Sequence, residues 1–237
     1  MARHVLVVAA HPDDEVLGAG GAIARHVHQG DAVSVLILGE GISARLPARK
    51  SSLLTARRSQ FERLKREMNQ AHDCLGVRYT ELQGFPDNRF DSVDLLDLVK
   101  AVEKVERKVH PHVVYTHHGG DLNVDHRLTF EAVLAACRPL PDTSVERILS
   151  FEVLSSTEWA PPHASRAFLP NVFIDVEPFL DRKLKAMACY RSELRSFPHP
   201  RSLEAIRHQA AQRGSTVGLK AAEAFVLLRE RIGGRWP

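Results

Sequence analysis

Residues 5–15 read Val-Leu-Val-Val-Ala-Ala-His-Pro-Asp-Asp-Glu, an apolar run that ends abruptly in charged residues. Short aliphatic runs that are rich in β-branched residues are typical of strands buried on both faces of a parallel sheet. Similar runs occur at 32–38, 112–116, 148–154 and 171–176. We therefore predict five strands, with the charged cluster at the carboxyl end of the first.

Segments with helical spacing lie between these runs. Apolar residues recur on one helix face over 61–75, which is predicted to end at Gly76, and over 95–109, which is predicted to end before Pro111. Strands that alternate with helices predict an α/β fold with a mainly parallel sheet and helices on both faces. We find no linker or repeat, so residues 1–237 are predicted to form a single domain. The stretches 39–52 and 155–170 are predicted loops.

The composition narrows the class of protein. The chain has 237 residues, of which 44% are hydrophobic and 26% charged, as in an ordinary globular protein. The formal charge of +3 is too small to indicate a nucleic-acid partner. The three cysteines form no C-x-x-C pair, which fits a reducing compartment. No signal peptide is recognised, and no apolar run reaches the ~20 residues that span a bilayer. We expect a cytoplasmic protein, which is compatible with a homo-oligomer.

The first charged cluster has the residue types of a metal site. His11 and Asp14 are three residues apart, so a tight turn can bring an imidazole nitrogen and a carboxylate oxygen to one ion such as Zn²⁺. Asp13 then points elsewhere and is a candidate general base. The alternative is that the acidic pair only caps a helix that begins near Glu15. The next glycines are Gly18, Gly20 and Gly21. Their spacing is expected to allow a tight turn into that helix.

A second polar cluster follows the predicted strand 112–116. It contains His117, His118 and His126, and a catalytic zinc site needs one more protein ligand besides water. Residue chemistry alone does not choose among the three histidines. Position at a helix start and the neighbouring Asp125 favour His126, because a ligating histidine needs an acceptor for its other nitrogen. The alternative is a polar turn that caps a helix.

These residues carry a family resemblance. The stretches 7–15 and 121–127, the latter reading Asp-Leu-Asn-Val-Asp-His-Arg, are similar to the zinc-dependent de-N-acetylases of the PIG-L/LmbE type. Shorter similarities lie at 151–155, 180–183, 199–202 and 222–225. The resemblance therefore spans nearly the whole chain.

The resemblance implies a Rossmann-like fold with one zinc ion held by His11, Asp14 and His126. It also implies that Asp13 is the general base and that the substrate is a small molecule, an N-acetylated amino sugar or its conjugate, which loses acetate. Fe²⁺ or Co²⁺ would also accept these ligand types. We expect Glu15 and Asp125 to support the ligand residues by hydrogen bonds.

One position departs from the family pattern. Many relatives have a histidine three residues before the last ligand, where this chain has Asn123. An amide donates a hydrogen bond to an oxyanion but delivers no proton. Two alternatives follow. Either Asn123 stabilises the intermediate while Asp13 carries the proton both ways, or His118 is the general acid.

Residues for substrate binding are expected on the loops. Basic residues are concentrated over 45–66, and we predict that Arg45 and Arg49 bind a phosphate of a nucleotide-linked or lipid-linked sugar. Trp159 and His199 are candidates for a sugar pocket. A solvated helix face and ordinary loop residues are the alternative interpretations.

Two other functions compete with deacetylation. A metal-dependent phosphoesterase uses the same residue types but expects two metals and more carboxylate ligands. A non-catalytic nucleotide-binding module is suggested by the glycines at 18–21, although their spacing does not fit G-x-G-x-x-G.

Overall fold

The computed structural model describes residues 2–42 and 54–233 of the chain. In this part of the chain, the strands are β1 (His4–Ala9), β2 (Ala32–Gly39), β3 (Tyr79–Phe85), β4 (Val113–His117), β5 (Arg147–Phe151), β6 (Val172–Asp175) and β7 (Ala222–Glu230). The helices are α1 (Asp14–His28), α2 (Leu54–Leu75), α3 (Leu95–Val109), α4 (Val124–Ala136), α5 (Leu180–Cys189) and α6 (Leu203–Ser215). None of the described helices is both long and apolar enough to cross a membrane.

The seven strands form one sheet in the order β3-β2-β1-β4-β5-β7-β6. The first five in this order are parallel, whereas β7 runs antiparallel to both β5 and β6. The chain proceeds outward from β1 to β3 and then returns to the other side of β1 with β4. Ligands of open α/β sheets bind at this kind of switch in strand order, outside the carboxyl ends of the strands.

The central strand β1 explains why both faces of the sheet are covered. Val5, Val7 and Ala9 pack into a core with residues of α1, α2, α5 and α6, whereas the side chains between them pack with α3 and α4. Every residue over 5–10 is completely buried. Side chains alternate across a strand, so a continuous apolar run is what a two-sided core requires. The predicted α/β class and mainly parallel sheet are therefore confirmed.

The structure adds two strands that the apolar runs did not predict. β3 is an edge strand of partly exposed residues, and β7 is the antiparallel strand between β5 and β6. The predicted strand over 148–154 ends earlier, at Phe151. The helices predicted to end at Gly76 and before Pro111 do so. The predicted loop over 155–170 holds one short 3-10 turn, Thr157–Trp159.

The role predicted for the early glycines is wrong. Gly18, Gly20 and Gly21 lie inside α1 rather than in a turn before it. A Cβ at Gly18 would lie 2.2 Å from the Phe151 ring, and one at Gly21 would lie 2.7 Å from Val176. These glycines therefore permit close packing of α1 against the sheet.

Candidate metal centre and active site

Two strand ends meet at the proposed site. β1 and β4 are adjacent and parallel, so the cluster after Ala9 and the cluster that begins at His117 share one edge of the sheet. α1 begins at Asp14 and α4 at Val124, so both helices present their first turns to this edge. The architecture thus brings together two stretches that are more than a hundred residues apart in sequence.

His11, Asp14 and His126 form a compact group of donor atoms. One donor atom from each residue lies within 4.8 Å of the others. Asp14 Oδ2 lies 3.3 Å from His11 Nδ1 and 3.2 Å from His126 Nε2. Among the described residues, Asp14 Oδ1 and His126 Nε2 are buried and have no hydrogen-bond partner. Buried polar atoms without partners are costly, so this mixed nitrogen and oxygen set fits a divalent cation such as zinc.

The remaining nitrogen of His11 is held by carboxylates. Its Nε2 lies 2.9 Å from Asp125 Oδ2 and 3.1 Å from Asp87 Oδ1. Asp125 is itself fixed, because it accepts backbone N–H bonds from Asn88 (2.6 Å) and Phe90 (2.9 Å). Although burial opposes the charged imidazole, the hydrogen bonds to Asp125 and Asp14 raise the pKa of His11 well above its usual range. Such carboxylate partners orient a ligating histidine.

His126 is supported in the same way by Asp121. Asp121 Oδ1 lies 3.2 Å from His126 Nδ1, and this carboxylate also accepts hydrogen bonds from the hydroxyls of Ser156 and Thr157. Burial opposes the charged form of His126, but Asp14 and Asp121 raise its pKa to about 9. Burial likewise disfavours an ionised Asp121, yet the bonds from His126 and the two hydroxyls hold its pKa below the usual range. The sequence analysis expected Asp125 to support His126, but Asp125 contacts His11, and Asp121, which was not assigned this role, lies beside His126.

His117 shows why only one of the neighbouring histidines joins the group. Its Nε2 accepts the backbone N–H of Ala10 at 2.8 Å, so that lone pair is already used. His118 lies farther out, where its Nε2 contacts the carbonyl oxygen of Arg166 at 2.9 Å and its ring packs on Phe168. Neither side chain lines the site cavity described next.

A small cavity of about 120 Å³ opens beside the donor group. Its described lining consists of His11, Pro12, Asp13, Gly41, Asp87, Asn88, Asn123, Glu193 and Arg201. Sequence reasoning did not assign Asp87, Asn88, Glu193 or Arg201 to the site. Asp87 and Asn88 follow β3, which was itself not predicted. Arg201 lies in the similarity at 199–202, which was the one available signal.

Asp13 occupies the position between the donor group and Arg201. Its backbone has φ 112°, in the left-handed region, and its N–H donates to Glu15 Oε2 at 3.1 Å. Glu15 Oε1 accepts the Tyr190 hydroxyl at 2.6 Å. Asp13 Oδ2 lies 3.3 Å from an Arg201 nitrogen. Burial raises the pKa of Asp13 well above its usual range, and Arg201 opposes that rise. A buried carboxylate at this place can take and return a proton.

Asn123 has two partners that fix its amide. Its Oδ1 caps α4 by accepting the N–H of Asp125 at 2.8 Å, and its Nδ2 donates to Asn88 Oδ1 at 3.0 Å. The two asparagines therefore form one wall of the cavity. An amide nitrogen carries two protons, so the bond to Asn88 uses only one of them.

The other sequence candidates lie outside the cavity lining. Trp159 and His199 contact each other at the surface, with ring centroids 6.2 Å apart. Arg45 and Arg49 lie outside the described residues, so the structure does not place them.

Comparison with known proteins gives relatives of two kinds. The chain is 27% identical over 199 residues to a Bacillus cereus protein named as a probable N-acetyl-alpha-D-glucosaminyl L-malate deacetylase 2, and the match covers 81% of this chain and 84% of that one. It is also 32% identical over 197 residues to a 4-oxalmesaconate hydratase of Pseudomonas putida, with coverage of 79% and 72%.

The fold also matches solved structures. The N,N′-diacetylchitobiose deacetylase of Pyrococcus horikoshii superposes with a TM-score of 0.74 at 21% identity, over 96% of this chain and 84% of that chain. This likeness shows a shared fold. The model of one family, described as PIG-L: GlcNAc-PI de-N-acetylase, matches residues 6–137, which is more than half of the chain. The chain therefore belongs to the PIG-L family of deacetylases.

Proposed function

We propose that this protein is a zinc-dependent hydrolase that removes the acetyl group from an N-acetylated amino sugar or its conjugate and releases acetate. One observation carries the proposal. The donor atoms of His11, Asp14 and His126 converge within 4.8 Å, and a buried carboxylate, Asp13, lines the cavity beside them. This is the arrangement that metal-assisted hydrolysis of an amide needs.

His11, Asp14 and His126 would hold a divalent cation, which would supply Lewis acidity for a water molecule and positive charge for the acetyl oxygen. Asp13 takes the proton from the attacking water. The C–N bond breaks when the leaving nitrogen receives a proton. We assign to Asp13 the donation of this proton, which it has taken from the attacking water. Neither Asn123 nor Asn88 is able to deliver one, and His118 lies outside the cavity lining. We assign to Asn123 a hydrogen bond to the acetyl oxygen, through its second amide proton.

The test is a screen of N-acetylated sugars and their conjugates, scored by acetate release from the zinc-loaded enzyme. Chelation should abolish the release, and added Zn²⁺, Fe²⁺ or Co²⁺ should show which ion restores it. Asp13→Asn should keep one bound metal per chain and lower kcat about 10²- to 10⁴-fold, the usual contribution of a general base. Asp73→Asn, at an exposed position of α2, is the matched control and should keep normal turnover. Near-normal turnover of Asp13→Asn would remove Asp13 from this role.

A phosphate on the conjugate is a further part of the proposal. It rests on the basic residues over 45–66, including Arg45 and Arg49. Arginine binds phosphate in bidentate geometry, and the contact is screened by salt. Replacing both arginines by alanine should raise KM for a nucleotide-linked or lipid-linked acetamido sugar. An unchanged KM in the double variant and at high salt would refute the phosphate assignment.

We also assign the enzyme to the cytoplasm. Support comes from its three cysteines, all of them free thiols, which fit a reducing compartment. Fractionation of the producing cells tests this location. Sedimentation equilibrium would test the homo-oligomer with which the sequence is compatible.

A second candidate function is the addition of water to a double bond of an unsaturated carboxylic acid. Two observations favour it: a relative at 32% identity is named as a hydratase, and Arg201 brings a cation to the described cavity lining. Arginine suits a substrate carboxylate, and one carboxylate, Asp13, would take a proton from water and return it to carbon. Loss of the ultraviolet absorbance of 4-oxalmesaconate, without acetate release from any sugar, would favour this function over deacetylation.

A further inference from the structure

An aromatic pair lies on the surface next to the cavity. Trp159 ends the 3-10 turn after β5 and is 52% exposed, although it is a large apolar side chain. His199 comes from the segment between α5 and α6, and its ring meets Trp159 at an angle of 75°. We call Trp159 and His199 the aromatic shelf.

Arg201 joins the aromatic shelf to the cavity wall. Its backbone N–H donates to His199 Nδ1 at 3.0 Å, and its Nε donates to the hydroxyl of Ser155, near the start of the loop that carries Trp159. Its guanidinium reaches Asp13 and Glu193, which line the cavity. The shelf is therefore adjacent to the part of the cavity wall that Arg201 forms.

The hydrogen bonds of the shelf define its chemistry. Because His199 Nδ1 accepts an N–H, the neutral imidazole carries its proton on Nε2 and offers a donor beside the indole. Glu158 precedes Trp159 and places a carboxylate at the base of the shelf, where it accepts the N–H groups of Ser155 and Ser156. That charge disfavours an anionic ligand. An exposed indole with a nearby donor suits a neutral ring that has apolar C–H faces and peripheral hydroxyls.

We propose that the aromatic shelf is a subsite for a second, neutral sugar ring attached to the acetamido sugar. One face of that ring stacks on Trp159, and one of its hydroxyls accepts the Nε2–H of His199. The inference rests on the proposed deacetylase function and names the group next to the acetamido sugar: the conjugate is a disaccharide or a larger saccharide whose ring beside that sugar is neutral.

The test compares kcat/KM for acetate release from N,N′-diacetylchitobiose and from N-acetylglucosamine on the zinc-loaded enzyme. Trp159→Ala should lower the ratio of kcat/KM for the disaccharide to kcat/KM for the monosaccharide at least fivefold, mainly by raising KM for the disaccharide. Trp159→Phe should retain most of the preference for the disaccharide. Leu140→Ala is the matched control, because Leu140 is 51% exposed and lies between α4 and β5, away from the shelf. An unchanged ratio in Trp159→Ala would overturn the subsite.

A binding measurement separates this inference from the proposed function. The chain has two tryptophans, Trp159 and Trp236. In a Trp236→Phe background, titration with N,N′-diacetylchitobiose should change the fluorescence of Trp159 saturably, and His199→Ala should weaken the apparent affinity. No fluorescence change would refute the subsite even if sugars are deacetylated. Absence of acetate release from every sugar, together with saturable binding, would refute the proposed function and leave the subsite supported.

Discussion

At the scale of single residues, neighbouring acidic side chains of the site point in different directions and contact different partners. Asp13 and Asp14 are neighbours, yet Asp14 faces the two histidines and Asp13 faces Arg201. The left-handed backbone of Asp13, which costs energy in a residue other than glycine, separates the two directions. Glu15 stabilises this conformation by accepting the Asp13 N–H. Three consecutive acidic residues therefore make three separate sets of contacts.

Replacing Arg201 should move the pH profile of the reaction. Burial and the carboxylates of Asp14, Glu193 and Glu15 raise the pKa of Asp13, whereas Arg201 lowers it. A base acts in its ionised form, so activity falls as pH falls through the pKa of Asp13. Arg201→Gln removes the positive charge that lowers the pKa of Asp13. The fall of kcat/KM on the acid side of the pH profile (the acid limb) should therefore occur at higher pH. Arg201→Lys keeps the charge and should leave the limb near its wild-type position. If the glutamine variant has the wild-type limb, Arg201 does not set this pKa.

The three histidines after β4 show which features of the site can be predicted from residue chemistry alone. The sequence places three histidines after β4 and favours His126 through its position and its neighbour Asp125. The reason that His117 is excluded, a backbone N–H from Ala10 on its Nε2, depends on the pairing of β1 with β4. Arg201 was missed because its segment joins the site only through tertiary contacts with Asp13 and Ser155. Local motifs thus predicted the residues whose donor atoms converge, but not all of the residues that line the cavity.

At the scale of elements, α1 is held to the rest of the fold by a buried ion pair. Lys183 of α5 and Glu223 of β7 are 2% and 5% exposed, with Lys183 Nζ 2.6 Å from Glu223 Oε1. Glu223 accepts the N–H groups of Gly21 and Ala22, and Lys183 donates to the carbonyl oxygen of Leu17. A side chain at either glycine 20 or 21 would obstruct this approach. Gly20 and Gly21 therefore lie close to this ion pair, whereas Gly18 lies against the Phe151 ring.

Breaking this ion pair should destabilise the protein strongly. Glu223→Gln leaves the Lys183 ammonium buried without its counter-charge, which typically costs about 3–5 kcal/mol of unfolding free energy. Adding Lys183→Met should recover part of that loss, because the two residues are coupled. Lys220→Ala breaks an exposed pair with Glu177, whose side chains are 81% and 48% exposed, and should cost at most about 1 kcal/mol. Urea unfolding of Glu223→Gln, Lys183→Met, the double variant and Lys220→Ala measures these differences. If the losses of unfolding free energy in Glu223→Gln and Lys183→Met simply add up in the double variant, the two residues are not coupled.

The strands that were predicted and those that were missed differ in burial. β1 and β2 are central, and their continuous apolar runs reveal them. β3 lies at the sheet edge and reads Tyr-Thr-Glu-Leu-Gln-Gly-Phe, so it lacks such a run. β7 alternates charged with apolar residues at its start because Glu223 is needed for the ion pair with Lys183. Burial pattern therefore predicts the parallel centre of the sheet, whereas edge pairing and the antiparallel strand depend on contacts distant in sequence.

At the scale of the whole molecule, the site lies at the point between β1 and β4 where the strand order switches direction. His11 and Asp14 follow β1, His126 follows β4, and the segment between α5 and α6 supplies Arg201. The walls of the cavity therefore come from at least three separate parts of the chain. Unfolding of any of them would disperse the ligands. Metal binding and global folding should consequently be linked.

This linkage predicts how metal affects thermal stability. An ion that binds only the folded state at 100 times its dissociation constant stabilises it by about 2.7 kcal/mol. For a chain of this size, each kcal/mol raises Tm by about 2–4 °C, so zinc should raise Tm by about 5–10 °C over the chelated protein. His126→Ala should abolish the zinc-dependent part of Tm, because it removes one of three ligands. His208→Ala, on the exposed surface of α6, should keep it. Calorimetry of the wild type and the two variants, each with and without chelator, measures the effect. A zinc-dependent rise that survives in His126→Ala would place the ion elsewhere, since the three donors that converge at the switch between β1 and β4 would then not be its ligands.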